Sequence, residues 1–196
     1  FPYTTLFRSC RGLPAVAVLF YIAFMTKNIL ILLSHPDYEH SVANRALIDA
    51  VSDIPGLTVH HLEKSGRNGI FDLDKEMELL RRADLIVWQF PLYWYSCPAS
   101  LRDWQDQVLS PIVYGPDNFI KNKFVQIAFT AGSRESAFRA GDITGYTPAE
   151  MLRPLQMTVN ASGMRYLPPF GVFEARNISA DALKKASIMY KNLLLK

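Results

Sequence analysis

The chain has only two cysteines, Cys10 and Cys97, in 196 residues. Two thiols cannot build a disulfide framework, which fits a reducing compartment. The Gly-x-Gly-x-x-Gly fingerprint is missing, and with it the usual mark of a Rossmann dinucleotide site. A Gly-x-Ser-x-Gly elbow is missing too, and Cys97 has no base beside it in sequence, so a hydrolase has little to build on. Neither charge dominates: Lys+Arg number 21 against 18 Asp+Glu, a net +3 that is scattered rather than clustered, which argues against a nucleic-acid partner. With only 10 Gly and 12 Pro the chain is neither collagen-like nor a flexible linker. Metal chemistry is not expected. His35, Asp37, Glu39 and His40 lie close together, but Pro36 denies them a helical i, i+4 face, and the neighbours His60 and His61 point to opposite sides of a strand.

What is present is a globular balance, 49% hydrophobic and 20% charged, in a length that suits one domain with a sizeable core. Residues 1–24 stand apart. The apolar run from Leu13 to Phe24 follows Arg8 and Arg11 as in a signal peptide, yet no small-x-small cleavage site follows it, and it falls short of the roughly 20 apolar residues that span a bilayer. The opening FPYTTLFRS also reads as one translated frame of a sequencing adapter. The expectation is a non-native extension over 1–24, from a sequencing artefact or upstream translation, and a single domain over 25–196.

From Asn28 the run NILILLS is apolar throughout, the pattern of a strand buried on both faces. Similar runs at LTVHHL (57–62), DLIVWQF (84–90) and KFVQIAFT (123–130) predict three more strands, and MRYLPPFGVF (164–173) predicts a fifth, at an edge because Pro168-Pro169 interrupts it. Helices are predicted between them: from Ser41 to the Pro55-Gly56 stop, over 72–83, over 98–109, over 147–163 with a break or kink at Pro154, and over 179–195. Strands alternating with helices mean an α/β fold with a five-stranded parallel sheet covered on both faces, a three-layer sandwich.

In such a sheet ligands bind beyond the carboxyl ends of the strands, where strand order reverses. After the first strand, Ser41 stands at a helix N-terminus, which either simply caps the helix or offers free N–H groups to a phosphate, with His35 and Asn44 nearby. After the third strand, Tyr93, Trp94 and Tyr95 follow one another on a loop and cannot all be core. They either plug a hydrophobic contact between subunits or stack on a planar ring. The loop after the fourth strand, 130–146, is long and built of small residues, as functional loops often are.

Four segments carry a specific resemblance: SHPDYEHSVAN, ADLIVWQFPLYWYSCPASLRDWQDQVL, TAG after the fourth strand, and RPLQMTVNASGMRYLPPF. In this order and spacing they resemble the flavodoxin-like NAD(P)H:quinone oxidoreductase family over essentially all of 25–196. The nearest branch is the bacterial one that includes the ancillary flavoproteins of glutathione-gated potassium efflux; DT-diaphorase is more distant.

The resemblance implies a flavodoxin-like fold holding FMN, with FAD as the alternative. His35 and Ser41-Val42-Ala43-Asn44 would hold the phosphate, Pro91, Leu92, Tyr93, Trp94 and Tyr95 would line the isoalloxazine, and Thr130, Ala131, Gly132 and Ser133 would meet its other edge. It implies NAD(P)H as co-substrate, a quinone or similar acceptor, a homodimer, and a cytoplasmic location. A regulatory subunit bound to a membrane transporter at the inner membrane face is the alternative. Ala131 and Ser133 depart from the Thr-Thr-Gly-Gly common in the family. Phe138 and Thr144, expected in the substrate pocket, stand where DT-diaphorase has Tyr and His, which leaves backbone N–H groups and Tyr146 to assist hydride transfer.

Overall fold

The structure, a computed structural model, describes residues 27–66 and 69–195. The expectation of a non-native extension over 1–24 lies outside the described residues. Four apolar runs form the strands β1 (Ile29–Leu33), β2 (Leu57–His61), β3 (Leu85–Pro91) and β4 (Phe124–Thr130). Two short strands, β5 (Arg165–Tyr166) and β6 (Phe170–Val172), complete a parallel sheet of order β2-β1-β3-β4-β5, with β6 also pairing β4.

Alternation along each strand feeds two cores. Leu30, Leu32, Ile86, Trp88 and Phe90 pack on one face, and Ile29, Ile31, Leu33, Leu85 and Val87 on the other. Burial on both faces is why these strands read as unbroken apolar runs. The second face is covered by α1 (Val42–Val51), capped by the Ser41 hydroxyl, and by the C-terminal helix, which packs on it. The first is covered by α2 (Leu62–Ser65), α3 (Leu73–Arg82) and α4 (Ala99–Trp104), which runs through a π turn at Gln105–Leu109 into α5 (Ser110–Val113). One buried carboxylate is fully occupied there: Glu76 accepts from Trp104 Nε1 at 2.9 Å and pairs with His60 Nε2 at 2.7 Å.

Two expectations need refinement. The predicted helix over 147–163 breaks at Leu152 and not at Pro154, giving α6 (Pro148–Met151) and α7 (Arg153–Ala161). Pro154 then sits in the first turn of α7, where its missing N–H costs nothing. The single fifth strand is two pieces, because Pro168-Pro169 cannot donate to the ladder; Gln126 Nε2 instead donates to the Pro168 carbonyl at 2.6 Å. Gly171 on β6 is required by proximity, since a Cβ there would lie 2.5 Å from the Phe129 ring. The chain closes with α8 (Ala180–Leu194), capped by Ser179. No helix among the described residues is long and apolar enough to cross a membrane.

Candidate functional site

Strand order reverses between β1 and β3, and the carboxyl ends of β1, β3 and β4 open there into a cleft of about 320 Å³. One wall is the turn into α1. Ser41 Oγ accepts the Asn44 N–H, which leaves the N–H groups of Val42 and Ala43, in the first turn, without a partner among the described residues. His35, 7% exposed, lines the same wall. Burial lowers its pKa despite the opposing pull of Glu63 and Asp37, so it is neutral at pH 7. Its Nδ1 accepts the Asp37 N–H at 3.2 Å, which assigns the ring proton to Nε2. His40, by contrast, is held above the ordinary histidine pKa by its hydrogen bond with Asp37.

The opposite wall is built by β3 and β4. Pro91, Leu92 and Tyr93 line the cleft from β3, and Thr130, Ala131 and Gly132 from β4. A second cleft of similar volume adjoins it, lined by Trp94, Tyr95, Ser133 and Phe138 together with Leu92, Ala131 and Gly132. Between Tyr93 and Ser96, which exchange both backbone hydrogen bonds at 3.0 Å, lies a two-residue turn with Trp94 at φ 46° and Tyr95 at φ 65°. Positive φ at both central residues is type I′ geometry, which favours Asn-Gly. Two aromatics there are strained, and strain of this kind gathers at functional sites. The N–H groups of Trp94, Tyr95, Gly132 and Ser133 have no acceptor among the described residues. Four residues with free backbone donors thus line one cleft beside aromatic rings.

A buried polar chain stands behind the cleft. Tyr190 OH donates to Gln89 Oε1 at 2.8 Å, Gln89 Nε2 donates to Asn44 Oδ1 at 3.2 Å, and Asn44 Nδ2 donates to Thr130 Oγ1 at 3.0 Å. With its oxygen accepting from Asn44, Thr130 keeps its hydroxyl hydrogen for the cleft. Burial raises the Tyr190 phenol far above its usual range, so it remains a donor at any ordinary pH.

Most residues singled out in the sequence meet in these two clefts, but three do not. Asn44 is 1% exposed and turned inward, bracing Thr130 instead of lining the wall. The Thr144 hydroxyl lies 2.7 Å from the Ala137 carbonyl and 2.9 Å from the Tyr146 carbonyl, sharing its one hydrogen between them, and so shapes the loop after β4, and Tyr146 is 61% exposed; neither lines a cleft. Phe138 is 6% exposed, packs on Phe173 and lines the second cleft. Ser41 does what its capping pattern suggests and also lines the first cleft. Cys97 is buried and its thiol is pushed up by burial, so it is a poor nucleophile.

Sequence reasoning missed Arg176, which lines both clefts. Its signal was positional: it follows the last strand of the sheet, at the same carboxyl edge as the other loops. Gln89 and Tyr190 were missed because they lie 101 positions apart and are joined only by folding.

Comparison with known families matches residues 27–194 to the family described as "Flavodoxin-like fold". The glutathione-regulated potassium-efflux system ancillary protein KefG of Enterobacter sp. (strain 638) is 37% identical over 167 residues, covering 84% of this chain and 91% of that protein. Among solved structures, an NADPH-quinone reductase from P. pentosaceus is similar at TM-score 0.78 and 29% identity, covering 85% of this chain and 96% of that one. General stress protein 14 from Treponema denticola, solved in complex with FMN, is similar at TM-score 0.76 and 31% identity, covering 85% and 95%.

Proposed function

The chain belongs to the flavodoxin-like fold family, and from that membership we propose that it binds FMN across the two clefts and uses NAD(P)H to reduce a quinone or related acceptor. The observation that carries this reading is the set of unbonded N–H donors of Trp94, Tyr95, Gly132 and Ser133, beside a helix N-terminus, at the point where strand order reverses. Such donors suit a ring with acceptors along its edge, and the helix N-terminus suits a phosphate. Ala131 and Ser133 do not disturb this, because main-chain groups supply the donors whatever the side chain.

When bound, the flavin would supply a two-electron carrier between nicotinamide and acceptor. The chain's own residues would do the rest. Val42 and Ala43 N–H, the Ser41 hydroxyl and the neutral His35 Nε2–H would hold the phosphate, and Thr130 would donate its hydroxyl to the ribityl chain or the ring. Trp94 and Tyr95 would cover one face of the ring and exclude water. Among the described residues, the second cleft is lined by no histidine, carboxylate or thiol, so backbone donors, with the Arg176 guanidinium, would stabilise negative charge on the reduced ring. FMN fits this reading better than FAD because the relative solved with a flavin holds FMN.

The purified protein is expected to be yellow, to bleach on addition of NAD(P)H without oxygen, and to recover colour on addition of a quinone. Initial-rate lines should be parallel, as for two substrates that react in turn. Protein that copurifies without flavin and cannot be reconstituted would refute the reading. The exposed aromatics, Trp94 at 92% and Tyr114 at 87%, support a homodimer; light scattering should then give twice the 22.2 kDa chain mass.

A second reading is favoured by the potassium-efflux relative: a regulatory subunit that docks on a transporter and for which turnover is incidental. Bound flavin that NAD(P)H reduces but no quinone reoxidises would favour it.

A further inference from the structure

We propose that a third cleft, between the π turn and α7, binds a free α-amino acid with an apolar side chain, its carboxylate on Arg102 and its ammonium on Asp106. The cleft shares no residue with the two described above, so this binding does not depend on the function proposed for them. Arg102, Gln105 and Asp106 come to it from α4 and the π turn, and Thr158 and Ala161 from α7. Its volume is about 200 Å³, room for about seven waters at roughly 30 Å³ each, which suits a single amino acid and is too small for a nucleotide.

Arg102 and Asp106 are four residues apart, a spacing at which opposite charges on a helix are neighbours, yet neither enters an ion pair among the described residues. They straddle the entry to the π turn, where Ser110 N–H donates to the Gln105 carbonyl five residues back. Single π turns of this kind are rare and gather at functional sites. In sequence between the two charges stands Gln105, 5% exposed, whose Oε1 accepts from Arg102 Nη1 at 3.1 Å and whose Nε2 is buried without an acceptor among the described residues. Turning the amide over would set Nε2 against the guanidinium, donor against donor, so the unpaired atom is the donor. A carboxylate seated on Arg102 supplies the acceptor that Nε2 lacks, and Asp106 takes the ammonium. Leu109 and Val113 give apolar lining for the guest's side chain. The α7 wall brings no charge, and Thr158 and Ser162 donate their hydroxyl hydrogens to the Pro154 and Thr158 carbonyls, so recognition rests on the α4 side.

The test is a titration of the ¹⁵N-labelled full chain, followed by amide NMR, with leucine, with 4-methylpentanoate, which lacks the ammonium, and with isoamylamine, which lacks the carboxylate. Leucine should give saturable shifts confined to residues 102–114 and 158–162, and each singly charged probe should bind about fivefold more weakly, the scale of one exposed ion pair. Arg102→Gln should bind leucine and isoamylamine alike, and Asp106→Asn should bind leucine and 4-methylpentanoate alike. Gln105→Met should weaken leucine binding without lowering the urea midpoint, because it removes an unpaired buried donor, whereas a purely structural glutamine would cost stability. Flavin content should be the same in all of these proteins. Equal affinity of the wild type for the three probes, or no saturable shift in the two segments, would overturn the proposal. Shifts that are lost at concentrations where light scattering shows a dimer would overturn it too, the cleft then being the seat of a second copy.

Discussion

Replacing Tyr190 with Phe should separate the stability of the cleft's support from its chemistry. The substitution deletes one hydroxyl from a fully buried ring and leaves Gln89 Oε1 facing its former donor with nothing to accept from. An orphaned buried acceptor costs about 1–3 kcal/mol. For a domain of this size each kcal/mol lowers Tm by about 2–4 °C, so a fall of about 2–12 °C is expected. Flavin affinity should change by less than about twofold, because Gln89 and Asn44 stand between Tyr190 and the cleft. Asn44→Ala breaks the same chain one step nearer. It leaves Gln89 Nε2 only the main-chain carbonyl of residue 44 and removes the donor to Thr130 Oγ1, and should weaken flavin as well as stability. The two changes share Gln89 as a partner, so the double variant should cost less than the sum of the singles by at least about 0.5 kcal/mol. The assay is urea unfolding of all four proteins with flavin affinity measured in parallel. A Tyr190→Phe protein within about 0.5 kcal/mol of wild type, or strict additivity, would refute the reasoning.

Trp94→Asn with Tyr95→Gly supplies the residues that a type I′ turn favours, and should relieve about 1–3 kcal/mol of backbone strain while weakening flavin at least about tenfold; thermal melts and a flavin titration would check both. Stability should fall as pH drops below 6.5. His35 and His61 both have pKa values lowered by burial, so the unfolded chain takes up protons there that the folded chain refuses, and the loss continues down to their folded pKa values. His35→Gln should flatten part of that fall in a pH series of unfolding curves, whereas an unchanged slope would contradict the neutral, buried His35. Gly171→Ala forces a Cβ to 2.5 Å from the Phe129 ring and should cost about 1–3 kcal/mol by denaturant unfolding.

Much of this protein was settled along the chain itself. Runs such as ILILL and LIVWQF announce strands buried on two faces, and helices between them force parallel pairing, because apolar area and crossover length leave no other arrangement. Ser41 and Thr147 mark helix starts because capping is a contact between near neighbours. The Pro168-Pro169 pair announces a broken edge because proline has no N–H to give. Tertiary structure decided what depends on distant partners. Asn44, adjacent in sequence to cleft residues, turns inward because Thr130 and Gln89, 86 and 45 positions away, satisfy its amide. Tyr146, on a loop that looked functional, projects to solvent because local hydrogen bonds through Thr144 direct the chain that way. Arg176 enters both clefts only because β6 lands beside β4, a pairing across more than 40 residues that no local pattern encodes.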